Sequence, residues 1–532
     1  MRRLLSVLFA TVSIVAAFLG ATAFAQAENT IYLNAKILTV DANFSIAQSM
    51  AIREGRIIAV GSVDAVKQQV PQTAQIVDLG GRTVIPGLID NHLHFIRSVW
   101  NYQREVRLDG IFSRKDALSL ISARAKTVLP GSWITIIGGW SPNQFYDKRG
   151  GFTLDELDTV APNNPIYIQK SYRTAYANSM ALKAAGKDPA NGAAMHGRRN
   201  FRAFNRFISW RNKSASSKAI LTYMTALNRV GLTSVYDVGR PSEGKVEPLG
   251  KLAAKGPMPL RVFYTLKYRA TDTESTDAAL KLISQGSYRP LSADNQFGLI
   301  GLGEHIYGPM HDRPNRQQRW GESIWEPVRT IATTAAKNGW PIHEHTMSHF
   351  TISQFLELIA EIATHTPQVK ELRWTLAHAL GITESDLNRA KSLGVNVAIH
   401  SQAMMRSRSR NRPPLGSIAR SGVLWGLGSD GGIVAPINPF LTLGWAVTGR
   451  NIKGEEAWSQ DQRVSRKTAL IAHTINNAKI LFKEKDLGSL EIGKLADFVV
   501  LDRDYLTVPA SKISKIQPYQ TVVGGKVVYG QN

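Results

Sequence analysis

The chain contains no cysteine, which removes disulfides as a source of stability and thiolates as metal ligands. Any metal site must be built from His, Asp and Glu, and stability must come from buried apolar surface. Acidic residues are scarce as well: 41 Asp+Glu face 64 Lys+Arg, a formal charge of +23. A surplus of this size favours encounters with nucleic acid, acidic headgroups, anionic envelope polymers or acidic small molecules, and it is equally compatible with a solvated basic surface. Local basic runs stand at Arg198-Arg199-Asn200-Phe201-Arg202 and Arg406-Ser407-Arg408-Ser409-Arg410. No nucleic-acid-binding module or metal-finger spacing accompanies them, so nucleic acid is not an expected partner. Beyond the first residues no apolar run is long enough to cross a bilayer, and no stable membrane insertion is expected once the leading segment is removed.

That leading segment is informative. Met1-Arg2-Arg3 precedes an apolar run from Leu4 to Leu19 and the small-residue stretch Ala23-Phe24-Ala25-Gln26-Ala27. A charged start, a short apolar core and an A-x-A site read as a secretory signal over residues 1–27, with cleavage after Ala25 or Ala27. An uncleaved anchor would need a longer uninterrupted apolar span. The expected location is periplasmic, with secretion to the medium as the alternative.

At 532 residues and 43% apolar content, the chain exceeds one ordinary domain. Ile31–Val40, Met50–Gly61 and Gln75–Gly81 alternate β-forming and turn residues, and Ala496–Asp502 and Thr521–Tyr529 repeat that texture. Two β-rich ends around a long mixed middle predict one composite β domain, residues 28–84 with 485–532, from which a larger domain, 85–484, departs. The middle alternates apolar runs with helical patterns, which predicts parallel βα units and a closed eight-stranded α/β barrel. Candidate strands are Trp133–Ile137, Leu232–Val238, Leu260–Leu266, Gly298–Ile306, Trp340–His345, Leu372–His378, Val395–His400 and Val423–Ser429, with others before His92 and near Pro165–Gln169. About ten candidates thus compete for eight places. Residues 109–217, rich in Gly, Asn, Arg and aromatics, are the expected insertion and form a candidate lid.

Val84-Ile85-Pro86-Gly87-Leu88-Ile89-Asp90-Asn91-His92-Leu93-His94 puts two histidines one residue apart at the end of an apolar strand. Period-two alternation sends both imidazoles to the same side. That suits Zn²⁺ or a similar ion, and the pair alone is equally compatible with histidines satisfied by hydrogen bonds. In a barrel of this kind the active site lies at the C-terminal strand ends. His345 in Trp340–His345, His378 in Trp374–His378 and Asp430 in Leu424–Asp430 occupy such ends, in chain order. His343-Glu344-His345 is not a zincin motif, because H-E-x-x-H from His343 requires a histidine where Met347 stands. His343 shares parity with His345 and is open to substrate contact or to orienting a ligand, while His349 suits packing or support.

These residues resemble the metal-dependent amidohydrolase superfamily, and within it amidohydrolase family 3, the branch with N-substituted formamide deformylase-like proteins. Met50–Gly61 looks like the family's early β domain, Gly231–Asp237 like an internal strand, and Leu487–Asp497 like its C-terminal return. The resemblance implies a (β/α)8 TIM barrel with a large insertion and a small β-sandwich formed by both chain ends. It implies His92 and His94 on the more buried ion, His345 and His378 on a second, and Asp430 as both ligand and proton-transfer base. One departure stands out. Where the family often carries a carboxylated lysine before an Asp-Gly pair, this chain reads Gly301-Leu302-Gly303-Glu304-His305-Ile306-Tyr307-Gly308. Glu304 is one residue off and can supply the bridging carboxylate if the strand bulges.

The implied activity is hydrolysis of a non-peptide carbon–nitrogen bond, an amide or N-acyl/N-formyl amine, in a small molecule. One or two divalent ions, Zn²⁺ foremost, would activate water while Asp430 shuttles the proton. Ester or lactone hydrolysis uses the same attack. A deaminase on this barrel is weakened because Thr346-Met347-Ser348, with no glutamate, follows His345. A non-catalytic periplasmic binding protein is the alternative from another class. The sequence leaves the oligomeric state open.

Overall fold

Runs that are apolar almost throughout become parallel strands covered on both faces, the pattern demanded by a sheet with helices outside and side chains filling its interior. A computed structural model describes residues 29–197, 203–208, 215–239, 243–268, 270–405 and 412–530. The signal segment and both basic runs named above fall outside the described residues. The barrel strands are β1 (Leu88–Asp90), β2 (Leu232–Asp237), β3 (Arg261–Leu266), β4 (Phe297–Glu304), β5 (Ile342–Thr346), β6 (Thr375–His378), β7 (Asn396–His400) and β8 (Trp425–Gly428). They lie in sequential order in one parallel sheet. The seam between β8 and β1 is closed mainly by side-chain and loop hydrogen bonds. Ser429 donates from N and Oγ to the Asp90 carboxylate at 3.0 and 2.5 Å, and Asp430 N donates to His92 O at 2.8 Å.

Several barrel helices start at residues that cap them. The side chains of Ser216, Asp272, Ser348 and Thr383 each accept a first-turn backbone N–H, satisfying donors that the helix itself leaves open. The ten-for-eight ambiguity is resolved by the region between β1 and β2. Ile134–Ile137 and Ile166–Gln169 pair with each other and belong to a separate four-stranded sheet with Thr174–Ala177 and Ala194–His196. Trp140, Phe145, Phe152 and Leu157 give this inserted layer its own core.

Both chain ends meet at the bottom of the barrel. A six-stranded sheet runs Lys526–Tyr529, Pro518–Val523, Phe498–Leu501, Thr83–Pro86, Lys36–Leu38, Ile46–Ala47, and a four-stranded sheet holds Asn29–Leu33, Ser49–Arg53, Arg56–Gly61 and Gln75–Asp78. Phe498–Leu501 pairs antiparallel with Thr83–Pro86, the strand that leads into β1. Gly87 makes the turn between them. Its N–H donates to Asp497 O at 2.8 Å, and a Cβ there would lie 2.1 Å from Thr233 Oγ1, so only glycine fits. Among the described residues no helix is long and apolar enough to cross a membrane.

Candidate metal centre

The C-terminal ends of β1, β4, β5, β6 and β8 deliver His92, His94, Glu304, His345, His378 and Asp430 to one buried spot. The strand-alternation argument for the first pair needs amending, because β1 stops at Asp90 and both histidines lie in the turn beyond it. Their convergence is set by hydrogen bonds instead. His92 N donates to Asp90 Oδ1 at 3.1 Å, and His92 O receives Asp430 N. The two rings stand at 88° to each other, centroids 5.4 Å apart. Asp430 Oδ1 is then 3.2 Å from His94 Nε2 and 3.8 Å from His92 Nε2. Asp430 has a left-handed backbone (φ 57°) and His378 likewise (φ 71°), a conformation that non-glycine residues adopt at a cost of order 1–3 kcal/mol and that clusters at functional sites.

Glu304 sits at the middle. Its Oε1 lies 2.7 Å from His345 Nδ1, 3.2 Å from His378 Nε2 and 3.8 Å from His92 Nε2, and its Oε2 lies 3.8 Å from His94 Nε2. A one-residue slip does occur upstream in this strand, between Tyr264↔Leu299 and Thr265↔Gly301, but Glu304 itself pairs with Glu344, between the two β5 histidines, so the slip alone does not account for its place. Burial pushes the Glu304 carboxyl up, but the imidazoles of His305, His345 and His378 outweigh it and hold the group well below the usual range. Burial likewise keeps His92 and His94 neutral, well below the ordinary imidazole value, which is the form that ligates metal.

Support residues complete the centre. His343 Nε2 lies 3.2 Å from His92 Nδ1, and His378 Nδ1 lies 2.7 Å from His400 Nδ1 and 3.3 Å from Gln402 Nε2. His343 thus orients His92, one of the two roles open to it. Glu344, between the two β5 histidines, accepts Ile306 N at 2.9 Å. His349 is elsewhere, its side chain half exposed and its Nδ1 3.0 Å from Asp386 Oδ2. Sequence reasoning passed over His400, although it ends a recognised strand, and Asp312, whose Oδ2 accepts Met347 N and Ser348 N at 2.8 and 2.7 Å and so fixes the loop after β5. The signal for His400 was the one used for His378, a histidine at a strand end.

The donor set fits a divalent cation. His92 Nε2 is buried without a hydrogen-bond partner, while carboxylate oxygens of Glu304 and Asp430 each stand 3.8 Å from it. A buried polar atom of this kind calls for an explanation, and a cation held by ligands about 2.0–2.2 Å away would occupy such a gap. Neutral imidazoles with carboxylates are donors suited to Zn²⁺ and its neighbours.

Comparison with known proteins agrees with this fold. The chain is 29% identical to the protein LONG AFTER FAR-RED 3 of Arabidopsis thaliana, over 93% of this chain and 91% of that protein. It is 24% identical to an N-substituted formamide deformylase of Arthrobacter pascens, over 95% of this chain and 99% of that protein. A solved metal-dependent hydrolase of Pyrococcus horikoshii superposes with a TM-score of 0.63 at 20% identity, covering 91% of this chain and 99% of that one. Residues 75–529 match the amidohydrolase family model Amidohydro_3, and the chain belongs to that family.

Proposed function

We propose that this amidohydrolase cleaves an amide or N-acyl/N-formyl bond of a small molecule, with His92, His94, Glu304, His345, His378 and Asp430 holding one or two divalent ions, Zn²⁺ foremost. The observation that carries the reading is the meeting of imidazoles and two carboxylates around the unpartnered His92 Nε2. The match to a formamide deformylase over nearly its whole length supports a carbon–nitrogen bond as the target.

When bound, a divalent cation polarises the carbonyl and makes water acidic enough to attack near neutral pH. The rest is done by the chain. Asp430, whose Oδ1 faces the histidine pair, takes the proton from the attacking water and passes it to the departing nitrogen. Glu304 supplies negative charge between the two histidine pairs, the role that a carboxylated lysine has in the resembling family. His343 and His400 fix the tautomers of His92 and His378 by contacting the far ring nitrogen.

Export to the periplasm or medium is part of the same proposal and rests on residues 1–27 alone. Fractionation of cells expressing the full chain tests it, and retention of an unshortened protein in the cytosol would refute it.

The activity is tested by loading the purified protein with Zn²⁺ and assaying N-formyl amines, N-acyl amino acids, cyclic amides and esters. We expect turnover of at least one carbon–nitrogen class, lost on chelation and restored by stoichiometric metal. Hydrolysis confined to esters, or turnover indifferent to chelation, would overturn it.

A further inference from the structure

We propose that His305, His311 and His345 form an outer cation site at the barrel mouth, which takes a transition-metal ion such as Zn²⁺ or Cu²⁺ and, by sharing His345 with the inner centre, lowers activity when filled. The inhibitory part rests on the reading of His345 as an inner ligand; the site itself does not.

Three observations support it. The ring centroids of the three histidines are mutually 4.7–4.8 Å apart, and a ligating atom of each lies within 4.8 Å of those of the others. His305 Nε2 and His311 Nδ1 share a hydrogen bond at 3.0 Å, which already holds them close to the roughly 3.3 Å between two nitrogens on one tetrahedral zinc with ~2.0 Å bonds. His345 presents a nitrogen to each side, Nδ1 to Glu304 at 2.7 Å and Nε2 to the Asp312 carbonyl at 3.3 Å.

The scaffold is fixed and open to solvent. Asp312, next in sequence to His311, is tied to the loop after β5 by the Met347 and Ser348 N–H groups, so His311 and His345 are held in register. His305 is buried and His311 is exposed, which gives an ion a route from outside. Three imidazoles and a nearby carbonyl favour Zn²⁺, Ni²⁺ or Cu²⁺ over Mg²⁺ or Ca²⁺.

Charge ranks the two sites. The inner centre includes two carboxylates, whereas the outer triad contributes imidazole nitrogens alone and has Glu304 Oε2 no nearer than 3.9 Å to His305 Nε2, so the outer site fills only at higher metal concentration. A neutral imidazole ligates through one nitrogen and carries its proton on the other. An ion on His345 Nε2 must displace that proton or draw the ring away from Glu304, and either change disturbs the inner centre.

Equilibrium dialysis of the full chain against Zn²⁺ tests this, with turnover followed over the same range. The wild type should show a second, weaker class of bound ion whose filling coincides with loss of activity. In His311→Ala the weak class should vanish and the inhibitory concentration rise at least tenfold, with tight binding and turnover at low zinc retained. Superimposable binding isotherms for wild type and His311→Ala would overturn the outer site, whatever the turnover assay gives. Loss of the weak class with unchanged zinc inhibition would keep the site and overturn its inhibitory role. Because the isotherm needs no substrate, a failure of the proposed hydrolysis leaves it readable.

Discussion

At the N-terminal end of β3, Arg261 is buried with every guanidinium nitrogen engaged: Nε and Nη2 donate to Asp497 at 2.7 and 2.8 Å, and Nη1 to Asn295 O at 2.6 Å. Asp497 also accepts Gly524 N at 2.8 Å, so the charge is balanced and each guanidinium nitrogen has a partner. At the C-terminal ends of β1, β4, β5, β6 and β8, burial is as deep, yet His92 Nε2 and His305 Nδ1 have no hydrogen-bond partner and carboxylates face imidazoles across gaps of 3.8 Å. Buried polar groups normally find partners. The difference teaches that at the start of β3 a buried charge is answered by the chain's own side chains, tying the terminal sheets to the barrel, whereas the opposite rim gathers a donor set suited to a cation.

Breaking the comparison at its chemical end gives the largest effect. Asp430→Asn preserves the shape and most hydrogen bonds but removes the base, so turnover should fall by ~10²–10⁴-fold, with the melting temperature almost unchanged; near-native kcat would remove Asp430 from the mechanism. At the structural end, Asp497→Ala leaves the Arg261 charge buried and unpaired. It should cost about 3–5 kcal/mol in denaturant unfolding, while kcat per folded molecule stays near wild type, and a loss of specific activity matching that of Asp430→Asn would erase the contrast between the two ends.

Smaller changes sharpen it. His400→Asn removes the ring against His378 Nδ1, and metal affinity should fall ~10–100-fold, read by competition with a chromophoric chelator; an unchanged affinity would make His400 mere packing. His349→Ala, although it removes a histidine four residues from His345, should change stability by less than about 0.5 kcal/mol and leave metal content alone. A drop in bound metal would place His349 in the centre after all.

Much of the centre was legible because barrel geometry sends strand ends to one rim, so a histidine or aspartate closing an apolar run is a candidate wherever it falls in the chain. His345, His378 and Asp430 were found this way. Glu304 was reached through the family resemblance, one residue from the position of the carboxylated lysine, and through the need for an anion; the turn of its side chain towards His345 and His378 is visible only in the fold. His400 carried the same mark as His378 and was missed, because a histidine that orients a ligand and one that binds metal look alike in sequence. His305 and His311 gave no signal, since both lie in a loop whose course depends on Asp312 reaching across to β5.

The sequence by itself determined the local facts: where apolar runs start and stop, which residues cap helices, that no thiolate could serve, and which side chains close the strands. Pairing was decided only in three dimensions. Ile134–Ile137 and Ile166–Gln169 are as apolar as any barrel strand, yet they bond to each other in the inserted sheet, and β1 ends before its histidines rather than after them. Period and composition fix how a strand presents its faces, but partner and register depend on hydrogen bonds between segments far apart in the chain. Glu304 reaches the imidazoles of His345 and His378 only because β4, β5 and β6 lie side by side in the folded barrel.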